Sequence, residues 1–213
     1  MYKLVFALLT HERMFAILQK TVMKGEKKMN IDPYKCCPEY ESKDFVLRLV
    51  KKEDVKELLA CYSDKESQKI FNDDNCTSDF KYSTVEEMSD CVNMWIDSYK
   101  HGYFVRFSII NKNSNKAIGT IEIFSRHGTV ETNKNEGILR LDISSKYEST
   151  KYLDQLLSIA NLHFYNDFGF EIMISKAIPY AKERITSLMK NGFTLLSGEG
   201  VPKYYKNYFI RKK

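Results

Sequence analysis

Two carboxylates stand among apolar neighbours in stretches that alternate like strands. Glu122 lies between Ile121 and Ile123, on the opposite face from both, and shares its side with Thr120 and Phe124. Asp142 shares a face with Arg140, while Leu139, Leu141 and Ile143 take the other. A charged residue in a central strand is either solvated on an open face or paired in a cleft. Partial burial raises a carboxyl pKa and makes it a better proton acceptor near neutral pH. A nearby Arg140 would do the opposite and hold Glu122 or Asp142 as a spectator anion in a structural ion pair. Tyr204 and Tyr205 could line an acceptor site or simply pack in a sheet.

Other chemistry-bearing patterns are missing. The five cysteines (Cys36, Cys37, Cys61, Cys76 and Cys91) are odd in number and form no C-x-x-C. They imply reduced thiols in a cytoplasm rather than a disulfide framework or a zinc pattern. Asn75-Cys76-Thr77 matches a glycosylation acceptor but would need a secretory route. The four histidines lie far apart, so no metal is expected. The sequence has no Gly-rich nucleotide loop of the Rossmann or Walker type and no G-x-S-x-G elbow. Aromatic residues, 13% of the chain, are scattered through strands and helices, which suggests core rather than a base-stacking platform.

The carboxylates must be positioned by an alternating α/β body. Phe45, Leu47 and Leu49 mark a strand, and Val55, Leu58, Leu59 and Tyr62 follow at helical spacing. Ser83 or Thr84 caps a second helix carrying Val85, Met88, Val92 and Trp95. Phe104–Ile110 and Ala117–Phe124 form a hairpin across a polar turn, and Gly137–Ser144 is the next strand. A helix with Leu153, Leu156, Leu157, Ala160 and Phe164 inward ends at Gly169. Phe170–Ser175 is a strand, and Ala181–Asn191 a helix with Ile185, Leu188 and Met189 inward. Short strands near Phe193–Leu196 and Tyr205–Ile210 close the chain. A strand, helix and strand near the C-terminus imply one parallel pair, so the fold class is α/β (α+β). The expected architecture is a single mixed, mostly antiparallel sheet of six or seven strands, with helices on both faces.

Length and charge bound the rest. The 213 residues, 43% hydrophobic and 29% charged, suffice for one domain with a core. Residues 1–42 read as an extension and 43–213 as the domain. Residues 1–28 carry a net +4 of the formal +5, leaving +1 for the body. A nearly neutral body lacks the one-signed field that sequence-independent phosphate binding needs, so no nucleic acid partner is expected. No apolar run approaches the roughly 18 residues of a membrane span. Lys24-Gly25-Glu26-Lys27-Lys28 before Met29 can be encoded as a bacterial ribosome-binding sequence. Residues 1–28 therefore read as a start-site artefact in an A+T-rich bacterial genome, with a basic interfacial helix as the alternative.

The element order resembles the GNAT N-acetyltransferases, in particular the branch similar to ribosomal-protein N-terminal acetyltransferases. The resemblance covers about residues 43–212. It rests on Leu47-Arg48 followed by Glu53-Asp54 and a helix, on Ala117-Ile118-Gly119-Thr120-Ile121, and on Lys190-Asn191-Gly192-Phe193. It implies acetyl-CoA as a substrate, bound where two central strands splay apart, with its pyrophosphate on the loop that opens the next helix. Asp142, Ile143 and Ser144 would then meet the pantetheine arm, and Ser149, Thr150, Lys151 and Tyr152 the phosphates. It also implies Glu122, or Asp142, as the base, and a primary amine of a small molecule or protein N-terminus as acceptor, in a monomer or homodimer. The loop Tyr147-Glu148-Ser149-Thr150-Lys151-Tyr152-Leu153 keeps none of the family's Arg/Gln-x-x-Gly-x-Gly/Ala residues. Glu148 takes the Arg/Gln place, and a carboxylate about 4 Å from a phosphate costs on the order of 1–4 kcal/mol. Ser149 and Thr150 could equally just cap the helix. Met189 stands where many members carry a Tyr that protonates the leaving thiolate. The competing reading is a GNAT-shaped protein without catalysis, acting as a ligand-binding or interaction module.

Overall fold

Period-two alternation of apolar residues builds most of one sheet. In the computed structural model, which describes residues 32–72, 79–128, 130, 133–197 and 205–213, its strands are β1 (Tyr40–Glu41), β2 (Phe45–Leu49), β3 (Val105–Asn111), β4 (Lys116–His127), β5 (Asn135–Ile143), β6 (Ile172–Lys176), β7 (Thr194–Leu195) and β8 (Tyr208–Lys212). The spatial order is β1-β2-β3-β4-β5-β6-β8-β7. Every pairing is antiparallel except β5 with β6. The sheet is thus mixed and mostly antiparallel, as expected, but has eight strands among the described residues rather than six or seven. The added strand is β1, where Tyr40 faces Leu47 and Glu41 faces Val46. Two residues are too few to show alternation, and they fall inside the stretch 1–42 expected as an extension. Residues 32–213 form one compact unit. The expectations about residues 1–28, Asn75-Cys76-Thr77 and Tyr204 lie outside the described residues.

The helices are α1 (Val55–Tyr62), α2 (Lys65–Gln68), α3 (Val85–Lys100), α4 (Thr150–Ile159) and α5 (Lys182–Lys190). Thr84 caps α3, accepting the Glu87 N–H while Glu87 bonds back, a reciprocal box that satisfies two orphan donors. α4 continues through a π-turn at Ala160–Phe164 to Asp167, and Gly169, at φ +71°, ends it.

One sheet face, with Phe45, Leu47, Phe107, Ile109, Ile121, Ile123, Leu139 and Leu141, packs on Leu153, Leu156, Leu157 and Phe164 of the α4 segment. Burying one such leucine fully contributes about 1.5–3 kcal/mol. On the other side Leu58 and Tyr62 of α1 join Met88, Val92 and Trp95 of α3 in a second core. Two expected inward residues point out instead: Val85 is 43% exposed and Met189 62%. In α5 the buried positions are Arg184, Ser187 and Leu188, an i, i+3, i+4 stripe whose first two members are polar. A pattern drawn through apolar residues alone therefore turns this helix too far.

Two features prepare the site. Gly119 lets β4 and β5 approach closely, since a Cβ there would lie 2.2 Å from the Asp142 carbonyl oxygen. The parallel ladder of β5 and β6 runs only from Glu136↔Ile172 to Leu139↔Ser175. Beyond it β5 continues to Ile143, while the Ala177 N–H turns to the Asn207 carbonyl. Ser144 N–H bonds Ile118 O on the β4 side, so the backbone groups of Leu141 and Ile143 face away from β4, toward this opening.

Candidate functional site

The candidate carboxylates belong to one buried polar layer between the sheet and α1 and α3. Register sets it: Arg106 lies opposite Glu122, Thr120 opposite Asp142, and Glu122 opposite Arg140. The Arg106 guanidinium, 1% exposed, donates from Nε to Glu122 Oε2 at 3.0 Å, with a second bond from Nη2 to the same oxygen. Its Nη1 donates to Thr120 Oγ1 at 2.9 Å, Tyr62 Oη at 3.1 Å and Asp142 Oδ2 at 3.3 Å. Tyr62 in turn donates to Asp142 Oδ2 at 3.0 Å. Trp95 closes the layer, its ring 4.1 Å from the Arg106 guanidinium carbon. Burial works against the Arg106 charge, but Glu122 and its other neighbours more than compensate and push its pKa up. Burial and then Asp142 push the Tyr62 hydroxyl well above its ordinary value, so it stays protonated and donates.

Glu122 and Asp142 are therefore brought together through Arg106, Tyr62 and Thr120. Arg140, the partner considered from sequence, stands 3.9 Å from Glu122 Oε1 and lies over the Phe80 ring. Glu122 has one oxygen committed to Arg106. Asp142 has one oxygen, Oδ1, that is buried with no hydrogen-bond partner among the described residues. Sequence reasoning misses Arg106 and Tyr62 as site residues. The available signal is Arg106 itself, a cation in an apolar strand like Arg140. The motif residues Arg48 and Asp54 form a bidentate pair at 2.8 and 2.6 Å, with Ser108 donating to Asp54 at 2.7 Å. They brace β2 and β3 against the start of α1.

The expected coenzyme-binding residues flank the opening. Asp142 and Ile143 end β5, and Ser144 follows them. Ser145 is held by Asp64 and Ser67, its N–H on Ser67 Oγ at 2.7 Å and its hydroxyl on Asp64 Oδ2 at 2.6 Å. Ser149 takes the extended N-cap conformation of α4 but makes no side-chain cap bond. The Thr150 N–H is met instead by Glu183 Oε2 at 2.8 Å. Lys151 Nζ sits 4.6 Å from the centre of the Tyr152 ring, and Tyr152 packs edge-on against Phe45 and Tyr147. Glu148 binds Arg184 through both oxygens, at 2.8 and 2.7 Å. Arg184 Nη1 also donates to the Leu141 carbonyl at 2.7 Å. No local pattern points to Arg184, which lies 36 residues from Glu148.

This arrangement bears on acetyl-CoA directly. A free strand edge and helix-terminal amides would suit an amide-bearing arm and a diphosphate. Here the Leu141 carbonyl and the Thr150 amide are already engaged by the protein's own side chains. As the chain stands, the fit is incomplete at both ends. Among the described residues, no group of three or more His, Cys, Asp or Glu could hold a metal ion, and no helix is long and apolar enough to cross a membrane.

No family model matches the chain, and no curated protein matches it. Solved structures do. A ribosomal-protein-S5-alanine acetyltransferase from Vibrio fischeri superposes with a TM-score of 0.62 at 16% identity, over 82% of this chain and 96% of the other. The fold is that of the GNAT acetyltransferases. A GNAT acetyltransferase from Bacillus anthracis gives a TM-score of 0.61 at 13% identity, over 82% and 98%. A ribosomal L7/L12 alpha-N-protein acetyltransferase in complex with coenzyme A gives 0.61 at 13%, again over 82% and 98%. At such identities the likeness is one of GNAT fold.

Proposed function

We propose that this chain is an N-acetyltransferase that moves an acetyl group from acetyl-CoA to a primary amine, on a protein N-terminus or a small molecule. The observation that carries the proposal is the opening beyond Leu139 and Ser175, bordered by the β5 edge and the first turn of α4, in a sheet of GNAT topology. Acetyl-CoA would supply the acetyl group as a thioester. In this reading the Asp142–Ser144 stretch orients the arm through the backbone groups of Ile143, which face away from β4, and Ser149, Thr150, Lys151 and Tyr152 meet its phosphates. Of the candidate catalytic pair, Asp142 is the better proton acceptor, because Arg106 holds it by a single bond at 3.3 Å while making two to Glu122. Glu122, gripped by Arg106, is the better candidate for holding the layer in place.

The second reading, a GNAT-shaped binding or interaction module without catalysis, is favoured by one observation. The Arg184–Glu148 pair, with side chains 4% and 8% exposed, stands on the strand edge that the arm would need. Incubation of the full chain with acetyl-CoA and a panel of amines and N-terminal peptides, followed by mass spectrometry, separates the two. The first reading predicts a time-dependent acetyl adduct on at least one acceptor class, lost on boiling the protein. Acetyl-CoA recovered intact across the panel supports the second.

A further inference from the structure

Two neighbouring residues at the start of α5 reach into the opening from one side. Arg184 sends its Nη1 to the Leu141 carbonyl and closes on Glu148 with its other nitrogens. Glu183 sends a carboxylate oxygen to the Thr150 N–H, the first residue of α4. A cationic donor thus sits on the strand carbonyl, and an anion sits on the helix-terminal amide. Those are the two kinds of partner that an amide arm and a diphosphate would seek. The pair is not explained by stability alone, since a buried ion pair is often no more stabilising than apolar residues of similar volume.

We propose that Arg184, Glu148 and Glu183 form an internal latch in the coenzyme cleft, and that a coenzyme A-type ligand enters only by displacing them. This rests on the reading of the cleft as an acetyl-CoA site. The ligand's diphosphate competes with the Glu183 carboxylate for the Thr150 N–H. Its amide arm competes with Arg184 for the Leu141 carbonyl. Glu148 neutralises Arg184 and keeps it in place, so the charge opposed to phosphate in the loop is masked until the latch opens. The latch, rather than the loop sequence alone, then sets the affinity of this chain.

The test is calorimetric titration of the full chain, wild type and Glu183→Gln and Glu148→Gln variants, with coenzyme A and with pantetheine. Glu183 is exposed, so its variant keeps the test intact if the Glu148 variant fails to fold. Coenzyme A should bind Glu183→Gln about tenfold more tightly than wild type, the scale of one charge-assisted hydrogen bond weakened to a neutral one. Pantetheine, which has no diphosphate, should bind both equally. Equal coenzyme A affinity in wild type and Glu183→Gln overturns the latch and leaves the acetyl-CoA reading standing. An equal gain for pantetheine also overturns it. Failure of every variant to bind coenzyme A at millimolar concentration overturns both the latch and the acetyl-CoA reading.

Discussion

Arg106→Met removes the only cation that touches both Glu122 and Asp142 among the described contacts. Among the described residues, Glu122 then keeps Arg140, 3.9 Å away, and Asp142 keeps the Tyr62 hydroxyl. Both carboxylates stay buried, at 4% and 0% exposure for their residues. Breaking a buried pair by removing one partner costs about 3–5 kcal/mol, mostly through the charge left behind. In a domain of this size each kcal/mol lowers the melting temperature by about 2–4 °C, so a loss of roughly 6–20 °C follows. Thermal melts by circular dichroism and urea midpoints measure it. The double variant Arg106→Met with Glu122→Leu should recover part of the loss, because no carboxylate then remains opposite the methionine. A single variant within about 1 kcal/mol of wild type, or a double variant no better than the single, would refute the reading of this layer as an ion-paired unit.

The remaining predictions concern the same frame. If Asp142 accepts the proton, Asp142→Asn lowers turnover by about 10²-fold or more at unchanged coenzyme affinity, whereas Glu122→Gln mainly lowers the melting temperature. Turnover lost only in Glu122→Gln would reverse the assignment. Burial opposes the charge on Asp64, but hydrogen bonds from Ser145 and Ser67 hold its pKa at about 2, below the ordinary 3.8. A depressed folded pKa adds stability that is present above the unfolded value and fades as pH falls through the folded one. The urea-midpoint gap between wild type and Asp64→Asn should therefore be full at about pH 5 and shrink toward about pH 2, and a constant gap counts against it. Gly119→Ala drives a Cβ into the Asp142 carbonyl and should cost about 1–3 kcal/mol, read as a lower urea midpoint. A midpoint equal to wild type would mean that the close approach of β4 and β5 is not required.

The strands that alternate over five or more residues are legible in the amino-acid sequence, and so are the stop at Gly169 and, to within one residue, the helix starts at Ser83 or Thr84 and at Ser149 or Thr150. Local periodicity suffices for these, because each face of a strand or helix repeats its environment. β1 is not legible, since Tyr40–Glu41 is two residues long and lies in no apolar run, whereas the equally short β7 lies in Phe193–Leu196. The inward face of α5 is misread from apolar spacing because Arg184 and Ser187, not Met189, turn to the interior. A polar residue buried for its pairing leaves no apolar signal. Glu122 and Asp142 stand out as charged residues in central strands. Their tie to Arg106 depends on the register of three strands, and Tyr62 comes from a helix 44 residues before Arg106. Glu148 stands out as a charge of the wrong sign for a phosphate loop, while its partner is hidden in another helix.

Calorimetric titration of the full chain with acetyl-CoA at constant ionic strength tests the central claim most directly. Saturable one-to-one binding is expected, with a dissociation constant of about 1 mM or lower, roughly −4 kcal/mol or better, weakened by Lys151→Glu at the start of α4. No heat of binding at millimolar acetyl-CoA, in wild type and in Glu183→Gln alike, would contradict it.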